Sequence, residues 1–517
     1  VSLPDAHVSG GTPVPAYKES AVFSLADRVG SKVSIGLAAL FLYLDRVLEA
    51  SFVGKSLSGV WRLGREWGKG SLFVEKLWLP LIGPMASLAF APYGVKPGPE
   101  TIIGISLALA CVFPTELVFL AIAGSLSVVL WSRAKERRRT PVDRDFISAT
   151  GEVTSRFWVF PEFGTTAALT MVFVFLVGAT FASALPGASI YNLVIWCFCG
   201  LIFFMAADAA ARGKGEMVIW PFLTGATFSG LAAVYQKVSG WMPPRSWLDE
   251  RFEEDIVRYV GTFTNPTFFA EMLGLALPLT AALLLKKRDW RDRLVLLAFL
   301  GVQGIGMILS FSRGAWLGLI VSFAIVAVLY ERRLLILGLL VGVLALAVAP
   351  PVLVDRLMSS FSLEDSSNSY RVFIWRGSFA MLREYLFRGV GLGAEAFSHV
   401  YPEFMIVQTP APHAHSVYVQ MLLEIGLFGF LAFAWFFVVW TLRVLSVLFR
   451  EKGGWTERWL EIGVLAGAFA AIAGQMLQGV IEHTWYNPRV TLVFWAVMGM
   501  SSGIVLRKQQ KTGGAGE

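Results

Sequence analysis

The sequence predicts an all-α polytopic membrane protein of about twelve transmembrane helices, with one large outward-facing loop containing amphipathic helices. Three observations carry this reading. Of 517 residues, 56% are hydrophobic and only 16% charged, and the mean hydropathy is +0.63. Apolar runs long enough to cross a hydrocarbon core, about 20 residues each, recur along most of the chain. Basic residues sit in short clusters between those runs. The net charge of +7 therefore reads as topology and attraction to anionic headgroups, and no nucleic-acid partner is expected.

Residues 1–76 are mixed rather than apolar. Ser34 to Ala50 and Leu57 to Trp67 interleave Leu, Phe and Trp with Asp45, Arg46, Arg62 and Arg65, which suits amphipathic helices lying in the membrane interface. A partly disordered tail is the alternative. The first residues lack a basic, apolar, small-residue pattern, so no cleaved signal peptide is expected.

A transmembrane region, 77–506, follows. Its spans are expected at about 78–93, 101–131, 165–184, 189–206, 216–236, 265–285, 294–311, 315–330, 334–352, 417–441, 460–478 and 491–506. Pro114 interrupts the run 101–131, which is one kinked helix or two short ones. Cys111, Cys197 and Cys199 fall inside apolar segments, where a thiol behaves as a small hydrophobe, so neither a disulfide nor a metal site is expected of them.

The clusters Arg133–Arg139, Arg212–Lys214, Lys286–Arg293, Glu331–Arg333, Arg443–Lys452 and Arg507-Lys508 fall on one side if the spans alternate. The positive-inside rule makes that side cytoplasmic. Residues 507–517 are then a cytoplasmic tail. Lys237–Asn265, the turn Ser312-Arg313-Gly314, the loop 353–416 and the turn Gly479–Arg489 face outward.

The large loop holds most of the candidate chemistry. Asn368 or Ser369 can cap a helix starting at Tyr370, with Val372, Phe373, Trp375, Phe379 and Leu382 as its apolar surface. Arg371 lies in the first turn of that helix, where a cation gains nothing from the helix dipole. Its placement asks for an anion, with Glu364 or Asp365 as ordinary partners. Tyr370 and Arg376 flank it. Arg313 sits in a turn of a few residues between two spans, on the face where basic residues are scarce; snorkelling to headgroups is the alternative. Two guanidiniums reaching one cavity would hold a phosphate or pyrophosphate well, since each offers paired donors.

His413 and His415 close the loop after Pro410-Ala411-Pro412. An imidazole there can act as a general base near neutral pH, or serve as a structural hydrogen-bond partner. Zinc held with His399 or His483 has no supporting spacing, so no metal is expected. Gln420 and Glu424 follow in the next span, where a carboxylate is costly unless paired or functional. Arg258, ahead of the span carrying Glu271, and Glu482-His483 with Tyr486-Asn487 are further candidates for lining the same cavity.

Taken together, Ser312-Arg313-Gly314-Ala315, Tyr370-Arg371 with Ile374-Trp375, Gly389-Val390-Gly391-Leu392-Gly393 and His413-Ala414-His415 followed by Gln420, Glu424, Gly426 and Gly429 form a set. With Gly261-Thr262-Phe263 and Asn265-Pro266 before them, the chain resembles the O-antigen ligase and polymerase superfamily of bacterial envelope glycosyltransferases over roughly residues 80 to 505. It departs from the family pattern at Ser416 and Thr267, where asparagine is common. The resemblance implies a multi-pass protein of the bacterial cytoplasmic membrane whose site faces outward. It implies transfer of a glycan from an undecaprenyl pyrophosphate-type carrier to an acceptor hydroxyl on a lipid, protein or glycan, without nucleotide sugar or cofactor. Arg313, Arg371 and His415 are its implied catalytic residues. Arg258, His413, Tyr370, Arg376, Glu424 and His483 are the expected substrate contacts. A ligase is the leading expectation. A polysaccharide polymerase of the same superfamily and a lipid-linked glycan transporter are the alternatives.

Overall fold

Apolar runs fold as helices in this chain because a segment in lipid must satisfy its backbone polar groups internally. The computed structural model describes residues 98–139, 163–242, 248–249, 256–286, 289–330, 333–348, 354, 366–406, 409–450 and 459–513. All of them belong to one unit, Trp78–Glu517. The interfacial helices expected in 1–76 and the span expected at 78–93 lie outside the described residues.

The helices in order are α1 (Thr101–Val112), α2 (Thr115–Arg139), α3 (Phe163–Phe181), α4 (Pro186–Ala211), α5 (Glu216–Val238), α6 (Pro266–Lys286), α7 (Trp290–Leu309) and α8 (Arg313–Tyr330). They continue as α9 (Arg333–Val348), α10 (Ser366–Tyr385), α11 (Ala394–Val400), α12 (Val417–Arg450), α13 (Trp459–Gln478) and α14 (Pro488–Gly513). A two-residue antiparallel pair, Leu248–Asp249 with Ile256–Val257, connects α5 to α6.

Among the described residues eight helices are long and apolar enough to cross a membrane: α3 to α8, α12 and α14. Shorter apolar stretches occupy Thr101–Val112, Thr115–Leu130 and Ile462–Gln478. Among the described residues the expected count of twelve is not confirmed. The run 101–131 is two helices, because Phe113 turns extended (φ −106°, ψ 162°) ahead of Pro114, whose ring disfavours a helical residue before it. The span expected at 334–352 is a 16-residue helix. The helix expected from Tyr370 begins a turn earlier, at Ser366, so Asn368 and Ser369 lie inside its first turn rather than ahead of it.

The helix α14 is the centre of the bundle, 94% buried over its apolar window. It can sit there because Gly499 and Gly503 let it close on α4: a Cβ at either would stand 2.1 Å from the Phe203 or Ala207 carbonyl oxygen. Trp495, Phe436, Phe203 and Trp196 fill the space around it.

One helix break positions the site. In α12 the backbone of Gly426 leaves the helix (φ 69°, ψ 177°), freeing carbonyls that would otherwise lie unpaired at membrane depth. The glycine-rich loop after α10 supplies the missing donors. Val390 N–H bonds the Leu423 carbonyl at 2.7 Å and Gly391 N–H that of Glu424 at 3.3 Å, while Leu427 N–H reaches Leu386 at 2.6 Å. The Gly389-Val390-Gly391 motif is thereby a clasp holding α10 and α11 onto the first turns of α12.

Candidate functional site

The segment entering α12 is fixed from both sides. Ala414 N–H donates to Gln420 Oε1 at 2.8 Å, and Gln420 Nε2 donates to Glu424 Oε1 at 2.7 Å. Gly393 N–H also donates to Glu424. Val417 N–H bonds the Gly479 carbonyl at 2.8 Å, joining this segment to the α13–α14 turn. Between these anchors His415 adopts φ 49°, a left-handed conformation that costs a branched or bulky residue energy. The other described non-glycine with positive φ is Phe311, also 49°, in the turn before Arg313. Both strained positions border the sequence-expected site.

Glu482, in the α13–α14 turn, joins the two expected catalytic groups. Arg371 Nη2 lies 2.9 Å from Glu482 Oε2, and His415 Nδ1 lies 3.0 Å from Glu482 Oε1. With the carboxylate ionised, Nδ1 carries the proton and Nε2 of His415 is left as the acceptor. All three side chains keep between 16% and 20% exposure, so the cluster is reachable yet shielded. Burial works to raise the Glu482 carboxyl, but the His415 hydrogen bond and the His415 and Arg371 charges outweigh it and hold it well below the usual carboxylate range.

Behind this triad the rings stack into a wall. His413 stands 4.2 Å from His415, 5.3 Å from His483 and 4.7 Å from Tyr486, centroid to centroid. Tyr370 meets His415 edge-on at 5.8 Å and donates its hydroxyl to the Pro410 carbonyl. Burial, reinforced by the other histidines, pushes His413 well below its ordinary value. Burial likewise pushes His483 down to about 3. Both rings are neutral at physiological pH.

The arginine turns pack around this core. Gly314, the residue after Arg313, faces the α13–α14 turn, where a Cβ would lie 3.6 Å from Gln478 Cγ and Ile481 Cδ1. Arg258 donates Nε to the Ser310 carbonyl at 3.2 Å, and Tyr259 N–H bonds Leu309 at 3.0 Å. It therefore braces the turn that presents Arg313. Glu424 reaches the histidine segment only through Gln420. Arg376 is exposed on α10, about 140° around the helix from Arg371, and no described hydrogen bond joins it to the cluster.

Four residues here carried a weaker sequence signal or none. Glu482, a lone acid in a short turn between two apolar spans, was expected only as one of several residues lining the cavity. Arg489 is buried with no carboxylate beside it among the described residues; it donates to the Phe113 and Thr262 carbonyls at 2.7 and 3.3 Å and lies 3.7 Å above the Phe263 ring. It ties the α1 end to the Gly261-Thr262-Phe263 loop, using the negative end of α1 in place of a counter-ion. Glu271 and Gln475 have fully buried side-chain oxygens, and neither side chain has a hydrogen-bond partner among the described residues. The antiparallel packing that sets Gly467 against Leu279 brings Gln475 level with Glu271. Phe268, one turn above Glu271 on the same helix face, touches Tyr486 at 5.7 Å.

An orphaned carboxyl inside a bundle weakens it, by about 1–3 kcal/mol for an unsatisfied buried polar group. Glu271→Leu is expected to raise the thermal midpoint of detergent-purified protein by a few degrees. A lower midpoint would mean that the carboxyl has a partner it needs.

Residues 294–434, which include Arg313, Arg371, His413 and His415 but end before Glu482, match the family model described as O-Antigen ligase. No curated protein matches the chain. Several apolar helices together with this match indicate a membrane protein. The segment that supplies both arginines and the paired histidines is thus similar to the O-antigen ligase family.

Proposed function

We propose that the protein transfers a glycan from a polyprenyl pyrophosphate carrier to an acceptor hydroxyl, on the outer side of the bacterial cytoplasmic membrane. The observation that supports this most is the carboxylate of Glu482, bonded at once to Arg371 and to His415. It couples an anion-binding group to a base of defined tautomer in one small site.

In this reading His415 Nε2 takes the proton of the acceptor hydroxyl as its oxygen bonds the anomeric carbon. The bond from that carbon to the pyrophosphate oxygen breaks, and its electron pair leaves with the pyrophosphate. Negative charge grows on the leaving group, so Arg371 and Arg313 favour the transition state over the ground state. Glu482 holds Arg371 in place beforehand, which removes reorganisation from the barrier. The ring wall of His413, His483 and Tyr486 keeps water from competing with the acceptor. Tyr370 steadies the loop through Pro410.

Incubation of the purified chain with a defined lipid-linked oligosaccharide and candidate acceptors, followed by mass analysis, tests the reading. A new acceptor linkage identifies a ligase and longer lipid-linked chains a polymerase. Absence of any covalent product would remove the transferase assignment in favour of transport. In the same assay Arg371→Ala is expected to lower turnover by roughly 10²–10³-fold, the usual cost of one preorganised charge-stabilising donor. Unchanged turnover would take Arg371 out of the site.

A further inference from the structure

The chain contains five histidines, and three of them meet in one place. His413, His415 and Glu482 each present a ligand atom, all within 4.8 Å of one another. Donors around a tetrahedral zinc stand roughly 3.3–3.6 Å apart, given bonds of about 2.0–2.2 Å. His415 Nδ1 and Glu482 Oε1, at 3.0 Å, already approach that spacing. A second observation points the same way. His483 is buried with an Nδ1 that has no hydrogen-bond partner, and its ring lies 5.3 Å from that of His413. A ring nitrogen shielded from water and lacking a hydrogen-bond partner among the described residues is an uncommon thing to keep beside three other ligand groups.

We propose that His413, His415 and Glu482, with His483 beside them, form a binding site for a borderline divalent cation of the zinc type, which competes with Arg371 for Glu482. Imidazole and carboxylate donors suit zinc, and the scarcity of oxygen ligands excludes hard cations such as magnesium. Glu482 is the contested group. Its Oε2 holds Arg371 at 2.9 Å, so a cation entering the site must share that carboxylate with a guanidinium. The guanidinium sets the affinity: it repels the ion and withholds one oxygen. Occupancy would engage His415 and loosen Arg371, so on the transferase reading above the ion is an inhibitor rather than a cofactor.

Calorimetric titration of the detergent-purified full chain with Zn²⁺ alone, without glycan donor or acceptor, tests the site independently of that reading. Saturable binding with a micromolar Kd is expected, and Mg²⁺ should give no heat. His413→Asn should weaken Zn²⁺ binding by roughly tenfold or more. Arg371→Ala should tighten it, because the competing cation is gone. The opposing directions keep the test decisive if one variant folds poorly. Absence of saturable binding by the wild type, unchanged binding by His413→Asn, or weaker binding by folded Arg371→Ala would each overturn the proposal. Loss of transfer in Arg371→Ala with tighter zinc binding separates the two assignments, since one variant then fails in catalysis while gaining in metal affinity.

Discussion

Glu482→Gln is expected to lower turnover by roughly 10³–10⁴-fold while leaving the protein folded and still able to bind the carrier-linked donor. The scale is that of an orienting carboxylate removed from a catalytic histidine by amide substitution, where the geometry survives and the tautomer does not. Here the amide presents an oxygen and an NH₂ group where two acceptors stood. Oε1 meets His415 Nδ1 at 3.0 Å and Oε2 meets Arg371 at 2.9 Å, so whichever way the amide turns, one contact places donor against donor. If the NH₂ faces His415, Nδ1 becomes the acceptor and the proton moves to Nε2, the atom that must receive one. If it faces Arg371, the guanidinium is pushed out of register. Turnover with a saturating acceptor, measured beside donor binding, checks this. A loss below about tenfold would mean that Glu482 is a structural clamp and that His415 keeps its tautomer by other means.

The helical membrane class was legible because lipid imposes it: composition and run length decide between spanning and soluble segments without knowledge of partners. Pro114 marked a break that composition alone left open, and the extended Phe113 backbone resolves it into two helices. Arg371, Arg313 and the histidine pair were legible because each is costly where it stands. Their common partner was harder to see. Glu482 lies 111 residues from Arg371 and 67 from His415, and nothing local in a turn of Gly, Thr and Tyr reports which side chains arrive from elsewhere. Glu424 illustrates the converse. It is as conspicuous in the sequence as Glu482, yet Gln420 and Gly393 satisfy it, and its effect reaches His415 through the Ala414 N–H. Charge in an apolar run signals that a partner exists, whereas tertiary packing decides whether that partner is substrate or protein.

His415→Ala should lower transfer by about 10²–10⁴-fold, the usual worth of a general base, while sparing donor binding. The neighbouring histidines sharpen the expectation into a comparison. His413 also has an imidazole in the ring wall, but its Nδ1 accepts the His415 N–H at 3.1 Å and burial keeps it neutral, so it props the strained φ of 49° at His415 rather than taking a proton. His413→Asn keeps a side-chain acceptor for that N–H and should therefore retain far more activity than His415→Asn, which has no group to replace Nε2. Full activity in His415→Ala, with loss only in His413→Asn, would exchange the two roles. The base would then be the more deeply buried ring, and the acceptor would have to enter past Tyr486 rather than past Tyr370.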